Sequence, residues 1–110
     1  MNSHMVKSQS TVKSITMLEG VRRKTLVHGD KTILCRFELD EGAVLPLHSH
    51  PYEQTGYLVS GKMIFTIDGQ KHEMQPGDSW CIKENIEHAV TILENATLVE
   101  LFSPVRKDFL

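Results

Sequence analysis

His48 and His50 stand two positions apart. In an extended strand successive side chains alternate between faces, so both imidazoles project from one face while Ser49 projects from the other. Such a pair is half of a metal site before any long-range contact forms. A second alternation lies near the carboxyl-terminal end. Leu98, Glu100 and Phe102 share one face and Val99 and Leu101 the other, which places an acid beside an aromatic ring. If that face looks inward, Glu100 can move protons next to whatever the histidines hold.

The residues around the histidine pair read Gly42-Ala-Val-Leu-Pro-Leu-His48-Ser-His50-Pro-Tyr-Glu-Gln54-Thr-Gly-Tyr-Leu-Val-Ser-Gly61. Here the chain resembles the cupin superfamily. Its first motif, G-x5-H-x-H-x3-E-x6-G, is met by Gly42, His48, His50 and Gly61 with every spacing intact, and Gln54 occupies the Glu position. The second motif is met by Gly77, Asp78 and His88, while Lys83 and Asn85 replace its proline and second glycine. The resemblance implies an all-β fold, a single RmlC-like cupin jelly-roll barrel. It also implies one divalent transition metal ion held by His48, His50, Gln54 and His88. Gln54 enters the following strand and His88 arrives from a distant hairpin, so three nitrogens and one oxygen converge only when the barrel closes. Neutral imidazole and amide oxygen suit Ni, Mn, Fe, Co or Zn better than Ca or Mg. With Gln in place of Glu, the centre carries about +2 rather than about +1, attracts anions and polarises bound oxygen more strongly. Two readings of Gln54 stay open, a ligand or the mark of a barrel whose metal site has decayed. Glu53 points to the wrong face to replace it. His28 and His72 match neither motif and read as ordinary polar residues.

The ending Leu98-Val-Glu100-Leu-Phe102-Ser-Pro-Val-Arg106-Lys-Asp-Phe-Leu110 resembles the tail of the KdgF family of small cupins. That tail follows D-x-F-S-P-x-R, and Glu100, Phe102, Ser103, Pro104 and Arg106 fall on it, Glu100 being one methylene longer than the family's Asp. The resemblance implies conversion of 4,5-unsaturated uronates, from pectin or alginate breakdown, into linear 4-deoxy-5-keto uronates. In that chemistry Glu100 transfers protons, Arg106 clamps the uronate carboxylate with its planar fork and Phe102 offers the sugar an apolar face. The expected partner is therefore a small anionic, uronate-like molecule. Two other functions remain open. One is a metal-dependent dioxygenase with the same four ligands, and the other a non-catalytic module binding a small molecule in the barrel mouth. The bland alternatives are a Glu100 paired with a lysine at the rim, a Phe102 that only fills the core and an Arg106 that is a solvated tail charge. Alternation points Tyr57 away from the face of Gln54 and leaves Tyr52 and Arg36 undecided.

The elements that must position these residues are short β-rich runs broken by turn signals, at 32–39, 56–59, 63–67, 79–83, 88–93 and 97–102. Asp68-Gly69 between two alternating segments is a two-residue hairpin signal, and Pro76-Gly77-Asp78 marks a further turn. About eight antiparallel strands with no helix follow, in one domain over 12–110, since 110 residues bury one core and not two. Residues 1–11 are expected to be disordered or, at Met1-Asn2-Ser3-His4, a cloning remnant. Cys35 and Cys81 lie in apolar runs and are expected to be two buried free thiols. With 12 Lys+Arg against 14 Asp+Glu the chain has no polyanion-binding excess, so nucleic acid is not an expected partner. No apolar run suits a membrane span and no signal peptide opens the chain, which gives a cytoplasmic expectation. A homodimer is expected, with residues 12–18 adding a strand to a partner sheet.

Overall fold

The computed structural model describes residues 4–110; Met1, Asn2 and Ser3, the start of the expected cloning remnant, lie outside the described residues. Eight strands form one antiparallel system: β1 (Ile15–Leu18), β2 (Val21–His28), β3 (Ile33–Leu39), β4 (Val44–His48), β5 (Glu53–Ile67), β6 (Gln70–Met74), β7 (Ser79–Ile82) and β8 (His88–Ser103). Two 3-10 turns, Gln9–Thr11 and Lys107–Phe109, lie outside the strands. The fold is the expected all-β jelly roll. Among the described residues no helix is long and apolar enough to cross a membrane.

The two long strands make the jelly roll. The first half of β5 pairs with β7 and with the second half of β8, while its second half pairs with β6 and the first half of β8. β8 also pairs with β3 through residues 96–102 and with β4 through residues 88–91. Each long strand thus passes from one layer to the other, and the core fills the space between. Strict alternation shows where the interior lies: Ile33, Cys35, Phe37 and Leu39 of β3 are buried while Leu34, Arg36 and Glu38 are less so. Burying side chains of this size contributes about 1.5–3 kcal/mol each, which fixes the register against a slip that would turn them outward.

Several expectations change here. Ser60-Gly61 does not end a strand. β5 runs through it with ladder irregularities between Leu58 and Lys62, and β8 likewise runs through residues 94–96. Gly61 has φ 90°, and a side chain there would collide with the backbone of Asn95 and Ala96, so the glycine permits a close β5–β8 approach at the bend between layers. The hairpin at Asp68 (φ 49°) and Gly69 (φ 80°) forms as expected. Cys81 is exposed, because Trp80 and Ile82 take the inward positions of β7; only Cys35 is a buried thiol. Ile15–Leu18 pairs with β2 of its own chain. β2, which carries Arg22, Arg23 and Lys24, is a full strand that the sequence pattern did not single out.

Candidate functional site

β4 ends at His48, directly opposite His88 at the start of β8. His50 lies just beyond β4, yet the alternation persists: His48 and His50 are half-buried and Ser49 is exposed. The ring centroids lie 4.2 Å apart for His48 and His88, 4.9 Å for His50 and His88, and 5.8 Å for His48 and His50. One nitrogen from each ring falls within 4.8 Å of the others. His48 Nδ1 and His88 Nδ1 sit 2.8 Å and 2.9 Å from the carbonyls of Pro46 and Ile86, which fixes each ring with Nε2 as the free nitrogen. Burial pushes His88 down to about 4, and burial followed by the charge of Arg106 lowers His50, so both imidazoles are neutral near pH 7, the form that ligates metal.

Gln54, buried in β5, lines the same cavity as the three histidines. Its Nε2 donates to Glu100 Oε2 at 2.5 Å, and its Oε1 is buried with no partner, as is His50 Nδ1. An orphaned amide oxygen beside three clustered imidazoles is an acceptor-rich group that a divalent cation would satisfy, so the residues fit a transition metal. Glu53 is exposed, as alternation required.

Glu100 is buried one residue before Leu101, whose side chain lies on the outer face. Trp80 Nε1 donates to the same Oε2 at 2.9 Å, so both donors meet one oxygen and Oε1 remains for proton exchange. The indole reaches Glu100 by crossing β5 at Gly56, which is paired with Trp80 on one side and Glu100 on the other. A Cβ at Gly56 would overlap the indole ring. Burial raises the Glu100 pKa, opposed by the Trp80 and Gln54 hydrogen bonds and by Arg106. A carboxyl raised toward neutrality is better matched to proton transfer near pH 7 than an exposed one.

Arg106 follows β8 and turns back over the cavity. Its Nε and Nη2 donate to Asp108 at 3.4 Å and 2.9 Å, and its guanidinium carbon lies 3.8 Å from the Phe109 ring centre, 4.9 Å from that of Phe102 and 5.0 Å from that of Tyr52. The Asp108 pair uses one edge of the guanidinium, which leaves the terminal Nη1/Nη2 edge for a ligand. Phe109 is itself buried, and Thr25 Oγ1 donates to its carbonyl at 2.6 Å.

These groups share one cavity of about 310 Å³, lined by His48, His50, Gln54, His88, Glu100, Phe102 and Arg106. All seven site residues expected from the sequence therefore meet, and His28, His72 and Tyr57 stay outside at the surface. Tyr52 stacks near His50 and Arg106, and Arg36 lies on the outer face beside Glu38. Trp80, Gly56, Asp108 and Phe109 were not foreseen. Only a Trp and a Gly at paired positions of adjacent strands could have signalled the first two, and that pairing is not written in either segment alone.

A protein family described as Cupin domain matches residues 35–103. The pectin degradation protein KdgF of Dickeya dadantii (strain 3937) is 31% identical over 94 residues, covering 84% of this chain and 86% of that protein. Among solved structures, KdgF from Halomonas sp. aligns with a TM-score of 0.93 at 27% identity, covering 98% of this chain and 100% of that one. An RmlC-like cupin from Shewanella frigidimarina aligns with a TM-score of 0.92 at 24% identity, covering 98% and 97%, a likeness of fold alone.

Proposed function

Since the chain belongs to the cupin superfamily, among the small cupins similar to the pectin degradation protein KdgF, we propose that it opens the ring of 4,5-unsaturated uronates to linear 4-deoxy-5-keto uronates. One observation carries the reading: a buried carboxyl, a three-imidazole cluster and a cavity-facing guanidinium line the same small cavity. In the substrate the ring oxygen joins the anomeric carbon to carbon 5 of a 4,5-alkene. Glu100 Oε1 takes the anomeric hydroxyl proton, the carbon–oxygen bond to the ring oxygen breaks, and carbon 1 becomes an aldehyde. The electron pair passes to the former ring oxygen as an enolate, and the proton held by Glu100 is delivered to carbon 4, leaving a ketone at carbon 5. The reaction is an isomerisation with no net proton change. His48, His50, Gln54 and His88 would hold a divalent ion, which when bound supplies positive charge for an oxygen that becomes anionic. Trp80 and Gln54 hold Glu100 in one rotamer, Arg106 receives the uronate carboxylate on its terminal edge, and Phe102 closes the cavity against water.

The test mixes protein loaded with Ni, Mn, Co, Fe or Zn with unsaturated galacturonate and follows loss of the conjugated enol-acid absorbance. Loss of absorbance with formation of a dicarbonyl product is expected; no change with any of the five metals sinks the reading. Two copies of the chain are proposed to associate through the outer sheet face, where Tyr57, Val59 and Leu101 are exposed apolar residues of β5 and β8. A monomeric sedimentation coefficient at micromolar concentration would refute that pairing.

A further inference from the structure

Arg23 is a buried cation without an acid. It is only 8% exposed, and among the described residues no carboxylate lies within ion-pairing distance, whereas Arg22, Arg36 and Arg106 each have one. Its contacts are poor substitutes. Nη1 donates to the thioether of Met17 at 2.9 Å, the guanidinium carbon lies 4.1 Å from the Phe109 ring centre, and Nε is buried with no partner at all. A guanidinium has five N–H donors, and thioether sulfur is a weak acceptor. A charge held this way is costly unless something else completes its surroundings.

What lies next to it is the cavity. Arg23 stands just behind its wall: it does not itself line the cavity, but Met17 and Phe109, which it touches, both do, and Arg106 rests on the same Phe109 ring. The two arginines are not equivalent. Asp108 pairs directly with Arg106 and occupies one of its edges, while Arg23 feels that carboxylate only through space and has no ion pair of its own among the described residues. Met17 is 39% exposed and unbranched, so its thioether can swing aside at low cost.

Building on the anionic substrate proposed above, we infer that Arg23 is a second cation of the binding site, taking an oxygen of the ligand's carboxylate where Met17 Sδ now sits. Arg106 orients the carboxylate and Arg23 supplies a second charge, not tied up in an ion pair, that selects for it. The exchange of a thioether for a carboxylate oxygen replaces a weak hydrogen bond with a charge-assisted one.

The chain has a single tryptophan, Trp80, whose indole sits against the cavity residue Glu100, so its fluorescence reports ligand binding. Saturated galacturonate, which lacks the alkene and cannot be ring-opened, is the probe, and neutral galactose is the control. Arg23→Gln is expected to weaken galacturonate binding tenfold or more, Arg23→Lys to recover part of the loss, and galactose binding to stay the same in all three proteins. Galacturonate affinity within twofold of wild type in Arg23→Gln overturns the inference, as does an equal loss for galactose. Should the Gln variant not fold, the wild-type protein labelled with nitrogen-15 decides the matter. The Arg23 Nε–H resonance must shift on adding galacturonate and not on adding galactose; a stationary signal at saturation overturns the assignment. Because the probe is not turned over, failure of the ring-opening reaction leaves this result standing, and failure here leaves the reaction standing.

Discussion

Replacing Gly56 by alanine tests whether the path of Trp80 across β5 holds Glu100 in place. A Cβ at residue 56 would lie 2.5 Å from Trp80 Nε1 and closer still to Cε2 and Cζ2. Non-bonded heavy atoms settle near 3.5–4.0 Å, so the indole must retreat by about 1 Å or more. Its 2.9 Å bond to Glu100 then exceeds the roughly 3.5 Å reach of a hydrogen bond. Losing a hydrogen bond to an ionisable group costs about 1.5–3 kcal/mol, and forcing an extra carbon into a packed site costs about 1–3 kcal/mol more. For a domain of this size the sum corresponds to a fall in Tm on the order of 10 °C or more. Trp80→Phe removes the donor without the overlap and should show the smaller fall. Thermal unfolding by circular dichroism measures both, and the emission of the single tryptophan reports whether the indole has moved. Gly56→Ala melting within about 2 °C of wild type, with unchanged emission, would refute the reasoning.

Four further outcomes are expected. Reconstituted protein should carry about one divalent transition-metal ion per chain by elemental analysis, with metal–nitrogen distances of roughly 2.0–2.2 Å in a loaded crystal, and His88→Ala should lose it. Gln54→Glu should retain the metal but bind carboxylates more weakly, because it lowers the charge of the centre and sets a second carboxyl where Gln54 now donates to Glu100; equal or tighter binding by titration would exclude this account. Glu100→Gln should lower kcat about a hundredfold with little change in KM, whereas Arg106→Ala should also raise KM, and steady-state kinetics separates the two. Below neutrality the metal-free fold should weaken. His88, at about 4 when folded against an ordinary value of 6.5, and His50, also lowered, bind protons more readily when unfolded, so their contribution is complete above pH 6.5 and is lost as pH falls toward 4. Melts in a Glu100→Gln background isolate this effect, since the raised pKa of Glu100 acts in the opposite direction.

Strand parity grouped Leu98, Glu100 and Phe102 on one face of β8, but with Val99 and Leu101 apolar as well it left open which of the two faces looks inward. The histidine pair was readable by the same parity, although His50 lies just past the end of its strand. Cys81 was misplaced because Trp80-Cys81-Ile82 is apolar throughout and carries no alternation to break the tie. The bend of β5 at Ser60-Gly61 was read as a turn because a glycine with positive φ has the same sequence signature in a turn and in a bulge. The Trp80–Gly56–Glu100 crossing and the Arg23–Phe109–Arg106 stack depend on three separate strands or on the folded tail, so no local window holds them.

Strand β8 carries His88, Glu100 and Phe102, and its two halves belong to different layers. Adding or deleting one residue between positions 97 and 99, past the irregular bend, would turn Glu100 and Phe102 to the surface, bring Val99 and Leu101 inside, and break the pairing with β3 and β5 together. Inherited change within that stretch is therefore confined to substitution. The segments before β2 and after β8 supply Met17, Arg106 and Phe109 from outside that ladder, and they can lengthen, shorten or be exchanged without shifting it. A lineage built on this barrel would keep its reacting centre and diversify the acids it accepts by remodelling the two flanking segments.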